Sequence, residues 1–213
     1  GLDAWKSVES MKMTGSIMMG GMGVEAPFVI TTKRPKKVRL EFTFQGMTGI
    51  QAFDGETAWM LMPFMGKTDP EEMPDDMAKD VKDQADLDGA LIGYKEEGHQ
   101  LELIGLEQTE GTDAYKIKVT KKNGDVEYYY LDAEYYIPIK VEGSRDVQGR
   151  VVEYETLLSD YKDVGGLMMP HSIEAKQKGA PAGQVIAIDT IELNVPADDS
   201  LFVMPEKSTE GQP

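Results

Sequence analysis

Two histidines, His99 and His171, and a large excess of carboxylates are the side chains of this sequence with the widest chemical range. Neither histidine belongs to a metal-binding spacing such as H-E-x-x-H. The absence of cysteine removes thiolate ligands, thiol nucleophiles and disulfides together. His99 lies in Glu96-Glu97-Gly98-His99-Gln100, a solvated turn by composition, and His171 follows Pro170 at what reads as a strand start. There is no G-x-S-x-G elbow and no G-x-x-x-x-G-K-[ST] phosphate loop. Gly20-Gly21-Met22-Gly23 lies between two strand patterns rather than ahead of a helix, so it reads as a turn and not as a phosphate cradle. The densest acidic run ends Asp86-Leu87-Asp88-Gly89, but a calcium loop drawn on it would close on Lys95, whose charge repels the ion. These residues predict a binding protein and not an enzyme, with no metal and no cofactor.

The apolar residues are more informative. The 14 methionines gather in places: Met18, Met19 and Met22; Met60, Met62 and Met65; Met168 and Met169. Methionine is flexible and polarisable, so it suits walls that adapt to variable apolar ligands as well as it fills gaps in a core. The groups near Gly20 and Phe64 abut glycines and loops, the setting expected at the rim of a pocket.

These groups must be held by something large and curved. Lys37 to Phe44 alternates without error, with Val38, Leu40, Phe42 and Phe44 on one face and charged or hydroxyl residues on the other. The same rule picks out residues 27–32, 50–53, 56–62, 114–119, 126–131, 137–141, 150–158, 170–176 and 184–195, with a further strand from about Lys12. Asp54-Gly55 and Asn123-Gly124 are hairpin turns, because their central residues tolerate positive φ; Gln148-Gly149 and residues 179–183 also read as turns. The count is about eleven strands at hairpin spacing, the pattern of one antiparallel sheet or barrel. Two segments break it. The opening places Leu2, Trp5, Val8 and Met11 at helical spacing, and residues 69–93 read as a cap, a proline and a helix striped by Met77 and Val81. Residues 1–205 form one domain in this reading, and 206–213 a frayed polar tail.

With 213 residues, 22 basic and 38 acidic, the formal charge is −16, which argues against nucleic acid and against a cationic grip on an anionic membrane surface. No apolar run approaches the roughly 18 residues of a transmembrane helix. The chain opens on Gly1, so a leader or a lipidated cysteine ahead of it is compatible with the sequence.

Val29-Ile30-Thr31-Thr32-Lys33-Arg34-Pro35 leads into a strand, and Phe53-Asp54-Gly55-Glu56-Thr57-Ala58-Trp59 is followed by Pro63-Phe64. This resembles the periplasmic lipoprotein carrier LolA and its relatives, which carry K-R-P before a strand and then D-G-x-T-x-W with P-F. Leu131-Asp132, Pro138-Ile139-Lys140, Gly149, Tyr161-Lys162-Asp163-Val164, Gly166 and Pro170 look like the second half of the wider superfamily, which includes the outer-membrane receptor LolB and mycobacterial lipid-carrying lipoproteins. The resemblance implies a mainly β fold: a single curved antiparallel sheet, a half-barrel, with helices closing its concave face. It implies a periplasmic, monomeric carrier that moves lipoprotein acyl chains or other lipid toward the outer membrane, with an inner-membrane releasing complex and an outer-membrane acceptor as partners. The hydrophobic cavity would be lined by Phe28, Ile30, Leu40, Phe42, Phe44, Trp59, Leu61, Phe64, Met77 and Val81. Arg34 would latch a lid at residues 69–91 by bonding to its carbonyls. The alternative is an envelope sensor or interaction module that uses the same half-barrel to bind a protein partner through Tyr128-Tyr129-Tyr130 and Tyr135-Tyr136. The acidity and these tyrosines are not part of the family pattern, and they leave the cargo open.

Overall fold

The computed structural model describes residues 1–19, 24–147 and 150–206. The Gly20-Gly21-Met22-Gly23 turn, the Gln148-Gly149 turn and the tail from 207 lie outside them. A short helix α1 (Leu2–Lys6) precedes six strands: β1 (Ser10–Met19), β2 (Val24–Lys33), β3 (Lys37–Phe44), β4 (Met47–Phe53), β5 (Ala58–Met62) and β6 (Lys67–Glu72). Helix α2 (Asp75–Gln84) follows, then turns to residue 98. Seven more strands complete the chain: β7 (Gln100–Thr109), β8 (Thr112–Thr120), β9 (Val126–Asp132), β10 (Pro138–Val147), β11 (Arg150–Val164), β12 (Leu167–Gln177) and β13 (Gln184–Leu193). All thirteen pair antiparallel in one sheet, in the order β6-β5-β4-β3-β2-β1-β13-β12-β11-β10-β9-β8-β7. The sheet does not close, because β6 and β7 are free edges.

The half-barrel expected from the sequence is therefore present, with thirteen strands in place of about eleven. The two additional strands are β6, whose Lys67-Thr68-Asp69-Pro70-Glu71-Glu72 has no apolar alternation, and β7, whose period breaks at a bulge between Leu103 and Gly105. Asp69 and Pro70 belong to β6, so the predicted helix shrinks to ten residues. Pro74 stands at its N-terminus and Asp75 and Asp76 fill its first turn, where the helix dipole favours them.

The curvature follows from α2. It packs on β3, β4 and β5, yet Lys79 and Asp83 also reach the β8–β9 turn, where Lys79 pairs with Asp125 at 2.6 Å and Asp83 with Lys121 at 3.7 Å. From β4 to β8 is nine strand spacings, roughly 43 Å in a flat sheet, whereas α2 is about 15 Å long. The sheet must curl round the helix, and the face that α2 touches is the concave one.

The apolar core lies on that face in two blocks. Val38, Phe53, Ala58, Met60, Met62 and Met73 pack against Ala78, Val81 and Ala85. Val8, Met11, Leu167 and Met169 pack around Leu87 in the turns after α2. The opposite face of β3–β5 is covered by the C-terminal segment, whose Phe202 is fully buried.

Candidate ligand-binding trough

Strand register carries the concave face across the sheet one rung at a time. Phe28 pairs with Phe42 and Ile30 with Leu40; in the other direction Ile17 pairs with Ile186, Ile173 with Leu158, Thr156 with Val141 and Tyr129 with Ile117. Paired residues point to the same side, so one apolar wall runs from β5 to β8. Its two halves are filled differently. Where α2 lies, Val38, Ala58 and Met60 are sealed. Beyond it, Ile17, Ile186, Ile173, Leu158, Val141 and Ile117 are only half-buried, and Leu103 and Leu106 on the edge strand β7 are 63% and 57% exposed. The result is an open apolar trough, half roofed by a short helix.

Of the residues predicted to line a cavity, the structure brings Phe28, Ile30, Leu40, Phe42, Phe44 and Phe64 together on this wall. Phe64 stands 5.6 Å from the Phe42 ring and 5.8 Å from the Phe44 ring. Gly49 leaves the space for them, since a Cβ there would lie 2.7 Å from Phe64 and 2.9 Å from Phe42. Val81 is buried on the inner side of α2, while Met77 of the same helix is 43% exposed. Trp59 and Leu61 are not on the wall. They alternate with Met60 and Met62 and so face the other side of β5. There the Trp59 indole donates to the Phe202 carbonyl at 2.7 Å and carries the Arg39 guanidinium 5.7 Å from its centroid. Trp59 anchors the C-terminal strap.

Arg34 does reach the segment after α2, but through a carboxylate and not through backbone carbonyls. Its Nη1 and Nη2 donate to the two oxygens of Asp88 at 2.8 and 2.6 Å, while Nε donates to the Val8 carbonyl at 2.7 Å. A planar guanidinium suits this two-toothed contact better than a lysine would. The Trp5 indole donates to the same carboxylate at 2.9 Å, so Asp88 ties the chain start to the roof. The bonds from Arg34 hold the Asp88 carboxyl below its ordinary range against the opposing effect of burial. Beside it Lys36 pairs with Glu97 at 2.9 Å and Asp86 at 3.4 Å. These groups line a polar cleft of about 420 Å³. The acidic residues that faintly matched a calcium loop are thus partners of Arg34 and Lys36. Among the described residues no group of three or more side chains is arranged to hold a metal ion.

A second clasp, which the sequence reading missed, lies at the far edge. Buried Glu127 accepts from Lys121 at 2.7 Å, Tyr129 at 3.0 Å and Tyr154 at 2.8 Å. Gly143 makes room for this cluster, because a Cβ there would meet the Tyr154 hydroxyl at 2.6 Å. Burial first, and Glu127 second, push the Tyr129 phenol far above its usual range. Lys121 is raised because its bonds to Glu127 and the nearby Asp83 outweigh the effect of burial. Of the tyrosines expected as an exposed interface, Tyr129 and Tyr130 are therefore occupied within the fold, while Tyr135 and Tyr136 are 67% and 65% exposed. His171 is also displaced from its predicted setting: it lies inside β12 and is 7% exposed. A depression of about 360 Å³ is bordered by Leu157, Ser159, Tyr161, Ser172 and Glu174 on the outer face and also touches Leu158 of the wall.

This architecture has counterparts among solved structures. A DUF1329 family protein from Desulfovibrio piger superposes with a TM-score of 0.68 at 15% identity, covering 95% of this chain and 92% of that one. The fold is LolA-like. A LolA superfamily protein from Nitrosomonas europaea matches at TM-score 0.63 and 14% identity, and a putative outer membrane lipoprotein-sorting protein domain from Vibrio parahaemolyticus at 0.63 and 13%, each over 95% of both chains. No family model and no curated protein sequence matches the chain. The LolA-like likeness thus resides in the fold, at identities where sequence alone is weak.

Proposed function

We propose that this protein is a carrier that shelters the acyl chains of a lipoprotein or other lipid in its concave trough and moves them across the periplasm toward the outer membrane. The observation that carries the reading is the half-buried wall of Ile17, Ile186, Ile173, Leu158, Val141 and Ile117, which continues the sealed core without a roof of its own. Apolar surface on that scale marks a place where something apolar binds. Each CH₂ sheltered there is worth about 0.8 kcal/mol, so a single chain covering part of the wall gives useful affinity. The lipoprotein-sorting and LolA superfamily descriptions of the similar structures support the same reading. In this proposal the protein is a binding protein and not an enzyme, works as a monomer, receives cargo from an inner-membrane releasing complex and yields it to an outer-membrane acceptor. The test is stoichiometric binding of a fluorescent fatty acid, with native mass spectrometry of the purified protein for retained lipid. Wild type should bind and Phe42→Asp should not, since it sets an unpaired charge in the wall. Binding that survives Phe42→Asp would put the ligand elsewhere.

A second reading, an envelope interaction module, is favoured by one observation: β7 is an edge strand that carries Leu103, Ile104 and Leu106 at 63%, 49% and 57% exposure. Free edges with apolar side chains invite another strand. Loss of a captured envelope partner on Leu103→Lys, with fatty-acid binding intact, would favour this module over the carrier.

A further inference from the structure

His171 is a buried polar side chain of the concave wall with an unused bonding atom. His171 lies on the same face of β12 as Leu167, Met169 and Ile173, and the first two of these pack around Leu87. One rung beyond the Ser172–Ala187 pair, it stands level with buried Ile188. It is 7% exposed. Its Nδ1 lies 3.0 Å from the Met169 carbonyl oxygen. A carbonyl only accepts, so Nδ1 carries the proton, and in the neutral ring Nε2 is left as an acceptor. Among the described residues Nε2 has no partner. No buried side-chain nitrogen or oxygen among them is sealed off from solvent without a partner either. Nε2 therefore keeps a small contact with solvent, and the alternation of β12 places the ring on the trough side of the strand. A fixed acceptor with so narrow an access to water gains from a ligand that supplies a donor and is left poorly bonded by one that does not, which makes it selective.

We propose that His171 Nε2 is a recognition point for a hydrogen-bond donor, a hydroxyl or an amide N–H, carried next to the alkyl chain of the cargo. The inference rests on the carrier reading and deepens it: the trough selects amphiphiles whose first polar group donates, and discriminates against chains that end in an ether or ester. The bond to Met169 fixes the ring, so the acceptor is already oriented before the ligand arrives.

The experiment is competition with a fluorescent palmitate analogue by three ligands of equal chain length: dodecanol, dodecanamide and methyl dodecyl ether. Wild type should prefer the alcohol, the amide or both over the ether by about fivefold to tenfold, the range of one neutral hydrogen bond. The alcohol and amide arms separate the two donor sources. His171→Phe should bring the three ligands within a factor of about two of one another while still binding the fluorescent probe. His171→Gln, which keeps an acceptor oxygen, should retain part of the preference and guards against a folding defect in the first variant. Equal affinities in wild type, or an unchanged preference in His171→Phe, would overturn the role of His171 and leave the carrier reading standing. If wild type binds neither the probe nor any of the three, the carrier reading fails and this proposal falls with it.

Discussion

The two halves of the concave wall are built from the same alternation, yet one is core and the other is surface. Over β3, β4 and β5, α2 supplies Ala78, Val81 and Ala85, and facing residues such as Val38 and Met60 are 1% and 5% exposed. Over β8 to β13 the described residues place no helix; Val119, Leu167, Met169 and Ile188 are buried there, but Ile117, Val141, Leu158, Ile173 and Ile186 stay half in water. An antiparallel sheet normally resolves this by turning polar on the uncovered face. This one keeps Ile117, Val141, Leu158, Ile173 and Ile186 where polar residues would cost nothing. The ion pairs that tie α2 and the turns after it to the rest of the fold differ in the same sense. Arg34 and Asp88 are mostly shielded and doubly bonded, while Lys79 and Asp125 at the far edge are 49% and 37% exposed and joined once. The closed half is built for stability, and the open half holds its apolar surface in reserve.

The sharpest way to break this contrast is to remove what anchors the closed half from behind. Trp59→Ala deletes a fully buried indole and its bond to the Phe202 carbonyl, and should cost about 3–5 kcal/mol in chemical denaturation. Because the side chain faces away from the trough, the folded variant should bind fatty acid as wild type does. Weakened binding at full folding would contradict its placement. Next in size is a paired test within the trough. Met60→Ala in the sealed wall should cost about 2–4 kcal/mol, as buried truncations do. Ile173→Ala in the open wall should cost less than about 1 kcal/mol of stability but weaken acyl binding severalfold. Equal stability losses would mean that the two halves are packed alike.

How much of this was legible beforehand depended on where the alternation was clean. Lys37 to Phe44 gave its strand and its inward face directly, and the Asp54-Gly55 and Asn123-Gly124 turns gave two hairpins. The 58–62 run could not assign a face, because Ala58, Trp59, Met60, Leu61 and Met62 are apolar on both sides of the strand. The side was decided by Phe202, 143 residues away, in a segment with no strand pattern. Strand β6 was hidden by Pro70 and its charges, which an edge strand tolerates where a central one would not. Arg34 was visible as a candidate latch, but its partner was not. Asp88 is 54 residues distant and sits among carboxylates of equal standing. His171 looked like an isolated histidine near a proline, and only the register of β12 turns it toward the trough.

The remaining tests concern the roof. Arg34→Leu removes two charge-assisted bonds to Asp88 and should cost about 1.5 kcal/mol, the low end for such bonds because both partners keep some solvent. Amide exchange should quicken in residues 75–92, and unchanged exchange would take Arg34 out of the clasp. Acid should act through the same pair. The folded Asp88 carboxyl titrates below the ordinary aspartate value, so its contribution is fully present above that value and disappears as pH falls through the lowered one. Wild type should therefore keep the roof protected through mildly acidic pH and lose that protection only in strong acid, whereas Asp88→Asn should be unprotected throughout.

Lys79→Ala, at the exposed ion pair between α2 and the β8–β9 turn, is the smallest change. It should alter stability by less than about 0.5 kcal/mol, because exposed pairs are screened and flexible. Its use is directional. If α2 swings open at the β8–β9 side while Arg34 holds the other, Lys79→Ala should speed fatty-acid uptake, and Arg34→Leu should loosen the roof without that preference. Tethering the far side with a reducible bis-maleimide linker between Lys79→Cys and Asp125→Cys, in a chain with no other cysteine, should then slow uptake until reductant is added. Uptake that ignores the tether would place the entry route over β10 to β13, where the wall is open without any movement of α2.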